Sequence, residues 1–318
     1  KNLVDGLAQV LVQDPTHGVE VHYDGGLLEL VKASITGSIL GNILLVLGTS
    51  MILGGLRHGI QYFNRRQASN NAVLLSLAVI ALLIPSLVSR SVGSQGSLRV
   101  EAFSLGVAAV MILLYSLGIL YGFQAERGPL STSPNEFRRE ADPNNHEAHV
   151  STQANPTKKA EKERGWSVQT ALIVLALATV GVAYLSELLV ATAEPVVVGL
   201  GISEFFLGVI LIPIVGNVAE HLVAVRVAMR NHMELSVEIS LASSLQIALF
   251  VAPVLVFVSL LLGNPLQLIF NEFELLALMA GVLIAALVSA DGESNWLEGA
   301  ELLAVYLILG LAFFLIPK

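Results

Sequence analysis

A chain of 318 residues that is 54% apolar and only 13% charged, with a mean hydropathy of +0.74, carries segments too apolar to stay in water, which excludes a soluble enzyme. A formal charge of −8 argues against a nucleic-acid partner. With no cysteine, neither disulfides nor thiolate ligands are available, so a metal site must be built from oxygen and imidazole, donors that suit hard cations.

In chain order, residues 1–26 hold a short apolar run with no small-residue cleavage site, so no cleavable signal peptide is expected, and their structure stays unassigned. The criterion of about 20 apolar residues per span places transmembrane helices near 27–56, 70–89, 98–122, 167–190, 203–230, 234–262, 272–291 and 296–316, eight in all. The first, fifth and sixth exceed one span and contain Gly or Pro (Gly37, Gly41 and Gly48; Gly208, Pro213 and Gly216; Pro253). These are expected to be kinked or broken, which is tolerated at bilayer depth only where the backbone lines protein or a cavity. Residues 123–165 lack any apolar run, are rich in Pro, Asn, Ser, Glu and Lys, and read as a flexible, solvated linker.

Lys and Arg accumulate on the cytoplasmic side of membrane proteins. Eight alternating spans place Arg57, Arg65, Arg66, seven linker residues, Arg226 and Arg230 on one side, against Lys1, Lys32, Arg90, Arg99 and Lys318 on the other. The linker is therefore expected in the cytoplasm, with both termini opposite. Glu101, Glu272, Glu274, Asp291, Glu293, Glu298 and Glu301 fall at helix ends or loops and are expected at the membrane interface.

An internal repeat divides the chain. Ala33-Ser-Ile-Thr-Gly-Ser38-Ile-Leu-Gly-Asn42 resembles Ile239-Ser-Leu-Ala-Ser-Ser244, with Ser34 over Ser240 and Ser38 over Ser244. Each copy is followed by two more spans, and the copies run in opposite directions across the membrane. Residues 27–122 then form an incomplete first repeat of three helices and 166–318 a second repeat of five. Inverted repeats with broken helices meeting at the midplane are a secondary-transporter architecture, with the substrate site at the meeting point. Ser34, Ser38 and Asn42 recur every four residues as a polar stripe, and Ser240, Ser243 and Gln246 recur at spacing three. Such stripes can coordinate an ion, or simply let helices pack closely.

The fifth span holds the sharpest polar constellation, Pro213-Ile-Val-Gly216-Asn217-Val-Ala-Glu220-His221. A charge at bilayer depth costs roughly 2.5–3.5 kcal/mol on insertion scales, so ionisable residues there usually face a pathway or a partner. Asn217, Glu220 and His221 stand at i, i+3 and i+4, on one helix face. Ca²⁺ takes about six to eight oxygens from carboxylates, amides, carbonyls and water. Glu220, Asn217, Gln246, Ser243, Ser244, Ser38 and Asn42 are the candidate donors, with Glu220 and His221 handling protons. One carboxylate leaves a divalent ion incompletely neutralised in a low-dielectric site, so Glu187 and Glu204 are candidates further along the pathway. Desolvation penalises the charged carboxylate, so proton and cation would compete for Glu220, and such competition is antiport.

Gly216-Asn-Val-Ala-Glu-His221-Leu-Val-Ala-Val225, together with Ser186-Glu187-x-Leu-Val, Ser203-Glu204-Phe-Phe-x-Gly and Ser243-Ser-x-Gln246-Ile-Ala-Leu-Phe250, resembles the calcium/cation antiporter superfamily, specifically CAX-type cation/proton exchangers, from about residue 27 to the C-terminus. The resemblance implies an all-α integral membrane protein with inverted-topology repeats that exports Ca²⁺ in exchange for protons, without a cofactor, the paired motif glutamates alternately holding cation and proton. It implies a prokaryotic plasma membrane or a eukaryotic vacuolar membrane, and leaves a homo-oligomer open. Sodium- or potassium-coupled exchange is the sibling reading. This chain departs from the family in its first half, where three helices stand for five or six and no Gly-Asn-x-x-Glu precedes residue 216. A truncated sequence is the favoured expectation over a divergent form, and a truncated chain that only associates with a full-length exchanger is the non-transporting alternative.

Overall fold

The computed structural model describes residues 26–92, 97–127 and 167–315. The three spans read as broken all contain a π-helical turn. In the first, α1 (Gly26–Leu40) passes through a π turn at Gly41–Val46 into α2 (Leu47–His58). After a two-residue strand β1 (Gln61–Tyr62) come α3 (Arg65–Val92), α4 (Leu98–Arg127) and α5 (Val168–Leu200). The second broken helix starts at α6 (Glu204–Phe206), takes a π turn at Leu207–Leu211, and continues as α7 (Ile212–Gly216) and α8 (Val218–Ala228). The third is α9 (Met233–Gln246), a π turn at Ile247–Val251 and α10 (Ala252–Leu261). The fold closes with α11 (Glu272–Val288), β2 (Glu293–Ser294) and α12 (Trp296–Leu315).

Proline explains two of the three π turns. Pro213 and Pro253 each lie two residues beyond the end of a π turn. A proline ring collides with the carbonyl four residues back, here Val209 and Leu249, and a widened turn relieves that collision. The first π turn has no proline, but begins at Gly41 and is followed by Gly48. Gly41 and Ile247, the first residues of two of these turns, stand at the same 206-residue offset that relates Ser38 to Ser244. The repeat read from the sequence is therefore also a repeat of backbone irregularity.

Among the described residues six helices are long and apolar enough to cross a bilayer, and seven if the pair Leu207–Gly216 and Val218–Ala228, bent by 59°, is counted as one span. The remaining expected span, 272–291, is the 17-residue α11, about 26 Å long at 1.5 Å per residue, slightly less than the hydrocarbon core of a typical bilayer. A capping box fixes its start, with the Asn271 side chain accepting from the Phe273 N–H and Glu274 Oε2 accepting from the Asn271 N–H.

The described residues fall into two compact units, residues 1–116 with 195–318, and residues 117–194. In the larger unit the first broken helix is the core: Ile39, Leu40, Ile43, Leu44, Leu47 and Met51 are at most 1% exposed. At one end of this unit β1 and β2 pair antiparallel, Gln61 opposite Ser294, and the Gln61 side chain donates to the Ala228 carbonyl and to Asn231 Oδ1, both at 3.0 Å. At the other end the 266–270 segment is pinned to α3 and α4, the Phe270 N–H donating to Ser86 Oγ at 2.9 Å and the Leu268 N–H to Ser104 Oγ at 3.3 Å. The smaller unit contains the end of α4 and most of α5, which has Pro195 inside it. Residues 1–25 and most of the expected linker 123–165 lie outside the described residues; α4 itself continues to Arg127.

Candidate ion-exchange site

The three broken helices converge where the repeat motifs lie. Ser244 Oγ, at the end of α9, donates to the Ser240 carbonyl at 3.0 Å and reaches the Ile39 carbonyl of α1 at 3.4 Å. Ile39 adjoins Ser38, the repeat counterpart of Ser244, so the two related helices cross at their equivalent serines. Asn217 approaches the same point from the second broken helix, its Nδ2 donating to the Ser38 carbonyl at 3.2 Å. The bend between α7 and α8 falls at Asn217, whose backbone (φ −96, ψ 14) is neither helical nor extended. That break frees the amide to cap α1 rather than the next turn of its own helix.

Small residues permit this approach. A Cβ on Gly37 would meet the Val209 carbonyl oxygen and come within 2.5 Å of Pro213 Cγ, and one on Gly208 would lie 2.7 Å from Ala33 Cβ. The backbones of α1 and of the 207–216 segment are thus in direct contact, the arrangement small residues provide where lipid offers no hydrophobic drive.

His221 anchors the other end of the motif. Its Nε2 is 3.0 Å from Thr49 Oγ1, and Thr49 Oγ1 donates to the Leu45 carbonyl at 2.7 Å. Thr49 Oγ1 and His221 Nε2 are therefore hydrogen-bonded, with the imidazole tautomer setting which of them donates. Asn217 on Ser38 and His221 on Thr49 are two fixed points along the first broken helix. Glu220 lies between them in sequence, in the first turn of α8, where the positive end of the helix favours a carboxylate. Asn42 lies between the same two points on the facing segment.

These two side chains are left with unused capacity. Asn42 is fully buried and neither amide atom has a hydrogen-bond partner, and Glu220 Oε2 is buried without one. Burying an unpartnered polar group costs about 1–3 kcal/mol, so three such atoms beside a helix break mark a place prepared for something else. Among the described residues no three His, Cys, Asp or Glu side chains cluster as a metal-holding group.

The remaining sequence candidates are distributed less tightly. Ser38 is half-buried and offers its carbonyl to Asn217. Ser243 is half-buried and Gln246 exposed, and the fully buried seam of α9 runs through Ser236, Ser240 and Ser244 at spacing four, with Ser240 donating to the Ser236 carbonyl. Glu187 and Glu204 belong to α5 and α6, and their side chains lie outside the described residues. Thr49 was not distinguished by the sequence, because its role depends on a partner 172 residues away. Glu274, expected at the interface, is instead 1% exposed: α1 covers it, so its place at a helix start did not reveal its burial.

Broken, pseudo-symmetric helices crossing inside an apolar bundle around unpartnered polar atoms define an integral membrane protein of inverted-repeat transporter architecture. The model of the sodium/calcium exchanger protein family matches residues 21–123 and 170–315. The chain is 44% identical over 292 residues to a Ca²⁺/H⁺ antiporter of Aphanothece halophytica, covering 92% of this chain and 76% of the relative. It is 43% identical to the Ca²⁺/H⁺ antiporter ChaA of Bacillus subtilis, with 92% and 77% covered. The solved structure of native YfkE superposes with a TM-score of 0.72 at 39% identity, over 92% of this chain and 77% of YfkE. That of the H⁺/Ca²⁺ exchanger CAX shares the fold, with a TM-score of 0.62 at 16% identity over 92% of this chain and 70% of the other. The chain belongs to the sodium/calcium exchanger family, as a CAX-type member of the calcium/cation antiporter superfamily.

Proposed function

We propose that this chain exchanges Ca²⁺, or another divalent cation, for protons by alternating access, removing Ca²⁺ from the cytoplasm. The observation that carries the reading is the set of buried, unpartnered atoms of Asn42 and Glu220, held between the Asn217 and His221 anchors. A dehydrated Ca²⁺ would be coordinated by the two unpartnered oxygens, Asn42 Oδ1 and Glu220 Oε2, and a proton on Glu220 neutralises the carboxylate when the ion leaves. Either occupant excludes the other, and strict alternation couples two gradients. Ser38, Ser243, Ser244, Asn217 and Gln246 complete the donor set as carbonyl, hydroxyl and amide oxygens, His221 takes part in proton transfer, and Glu187 and Glu204 are kept from the sequence as pathway candidates. The relatives named as Ca²⁺/H⁺ antiporters support this reading.

The test is reconstitution in liposomes with Ca²⁺ uptake driven by an imposed pH gradient. Uptake is expected in the wild type and lost in Glu220→Gln, which keeps volume and hydrogen bonding but cannot cycle a charge. Wild-type rates in Glu220→Gln would refute the assignment.

A further inference from the structure

We propose that Glu274 and Thr36 form a second proton-binding site, about 9 Å along α1 from Asn42 (six residues at 1.5 Å each), through which protons reach or leave the exchange site; the inference rests on the proton-coupled reading above. Glu274 sits in the first turn of α11, 1% exposed, with Oε2 accepting from the Asn271 N–H at 2.8 Å and Oε1 buried without a partner. Thr36 of α1 faces this carboxyl, is itself fully buried, and its Oγ1 is also unpartnered. Several helical Ser and Thr donate to the carbonyl four residues back, as do Thr49, Ser76, Ser240 and Ser244, whereas Ser50 and Ser236 leave their hydroxyls unpartnered. Thr36 also makes no such bond, so its hydroxyl remains available to the carboxyl.

A hydroxyl and a carboxyl can satisfy each other in either protonation state. The neutral acid donates Oε1–H to Thr36 Oγ1, and after the proton leaves, the Thr36 hydroxyl turns and donates to the carboxylate. The charged groups acting on the pair are Glu29 and Lys32 of α1. These two are bound to each other, Lys32 Nζ lying 2.7 Å from Glu29 Oε1, and so present a nearly neutral neighbour. Further along the same seam Gly281 packs on α1, a Cβ there meeting Leu40 Cδ2 at 2.7 Å. Glu274 Oε1 is buried without a partner where α11 packs on α1, so exchange of its proton requires that packing to loosen, which would tie proton exchange to conformation.

The experiment compares two modes in liposomes holding the full chain: Ca²⁺ uptake driven by a pH gradient, and ⁴⁵Ca²⁺/Ca²⁺ exchange at equal pH, which moves no net proton. Glu274→Gln preserves the capping acceptor for Asn271 but cannot exchange a proton. It is expected to lower gradient-driven uptake by about tenfold, the factor carried by one unit of proton affinity, while leaving isotope exchange within about twofold of wild type. Thr36→Val, which leaves the cap intact, is expected to shift the same way and carries the test should Glu274→Gln fail to fold. Unchanged gradient-driven uptake in the folded variants, or a parallel loss in both modes, overturns the proposal. A wild type that exchanges isotope but ignores the pH gradient overturns the proton-coupled reading itself, and this inference with it.

Discussion

Replacing Gly37 with alanine tests whether α1 and the broken 207–216 segment pack backbone to backbone. The added Cβ would overlap the Val209 carbonyl oxygen and lie 2.5 Å from Pro213 Cγ, and neither a main-chain carbonyl nor a proline ring can swing aside. Overpacking of this kind costs about 1–3 kcal/mol, which for a chain of this size corresponds to a drop of about 1.5–4.5 °C in Tm. The movement that relieves the clash also pulls Asn217 from the Ser38 carbonyl, 3.2 Å away, so transport is expected to fall further than stability. Thermal unfolding of the detergent-solubilised protein, followed by intrinsic fluorescence, measures the first effect. Gly106→Ala is the control: nothing lies within 4 Å of a Cβ there, and alanine at an exposed helix position stabilises by up to about 1 kcal/mol. If Gly37→Ala melted no earlier than Gly106→Ala, the close approach of the two helices would be refuted.

Other outcomes follow from the same geometry. Asn42→Leu removes two buried, unpartnered polar atoms and is expected to raise thermal stability while abolishing gradient-driven uptake; a variant both less stable and fully active would contradict the role given to that side chain. Thr49→Val takes away the hydrogen-bond partner of His221 Nε2 and should slow transport, with Thr49→Ser restoring it, because serine keeps the hydroxyl. Gln61→Ala removes the side-chain bonds to the Ala228 carbonyl and to Asn231 Oδ1, while the Asn231 N–H still donates to that carbonyl, and is expected to cost about 1 kcal/mol of stability, read as a lower Tm with unchanged proton coupling; a changed coupling ratio would mean that the small sheet belongs to the exchange machinery.

The repeat and the broken helices were legible because both leave local marks. Ser38 and Ser244 occupy matching positions in matching strings, and Pro213 and Pro253 announce the π turns before them. The convergence of Ser38, Asn217 and Ser244 on one crossing follows from that symmetry. What the sequence left hidden depends on neighbours distant in the chain. A spacing of three and a spacing of four both approximate the helical period of 3.6, so the stripe through Ser243 and Gln246 could not be separated from the buried seam through Ser236 and Ser240 until α1 and α2 were set against α9. Glu274 looked like an ordinary helix-start residue because its capping role is local, whereas its burial is imposed by α1. Thr49 became distinct only once His221 stood beside it.

The matched π turns at Gly41–Val46 and Ile247–Val251 also constrain register. A π turn holds one residue more than the α-turn it replaces, so each advances the helix beyond it by one angular step of about 100°. Excising a single residue from the first turn would regularise the helix and rotate Thr49 off the face it shares with His221. The two halves differ in what they place there, Gly41 and Asn42 in one against Ile247 and Ala248 in the other. Their symmetry is one of backbone phase, while the polar chemistry has settled on one side.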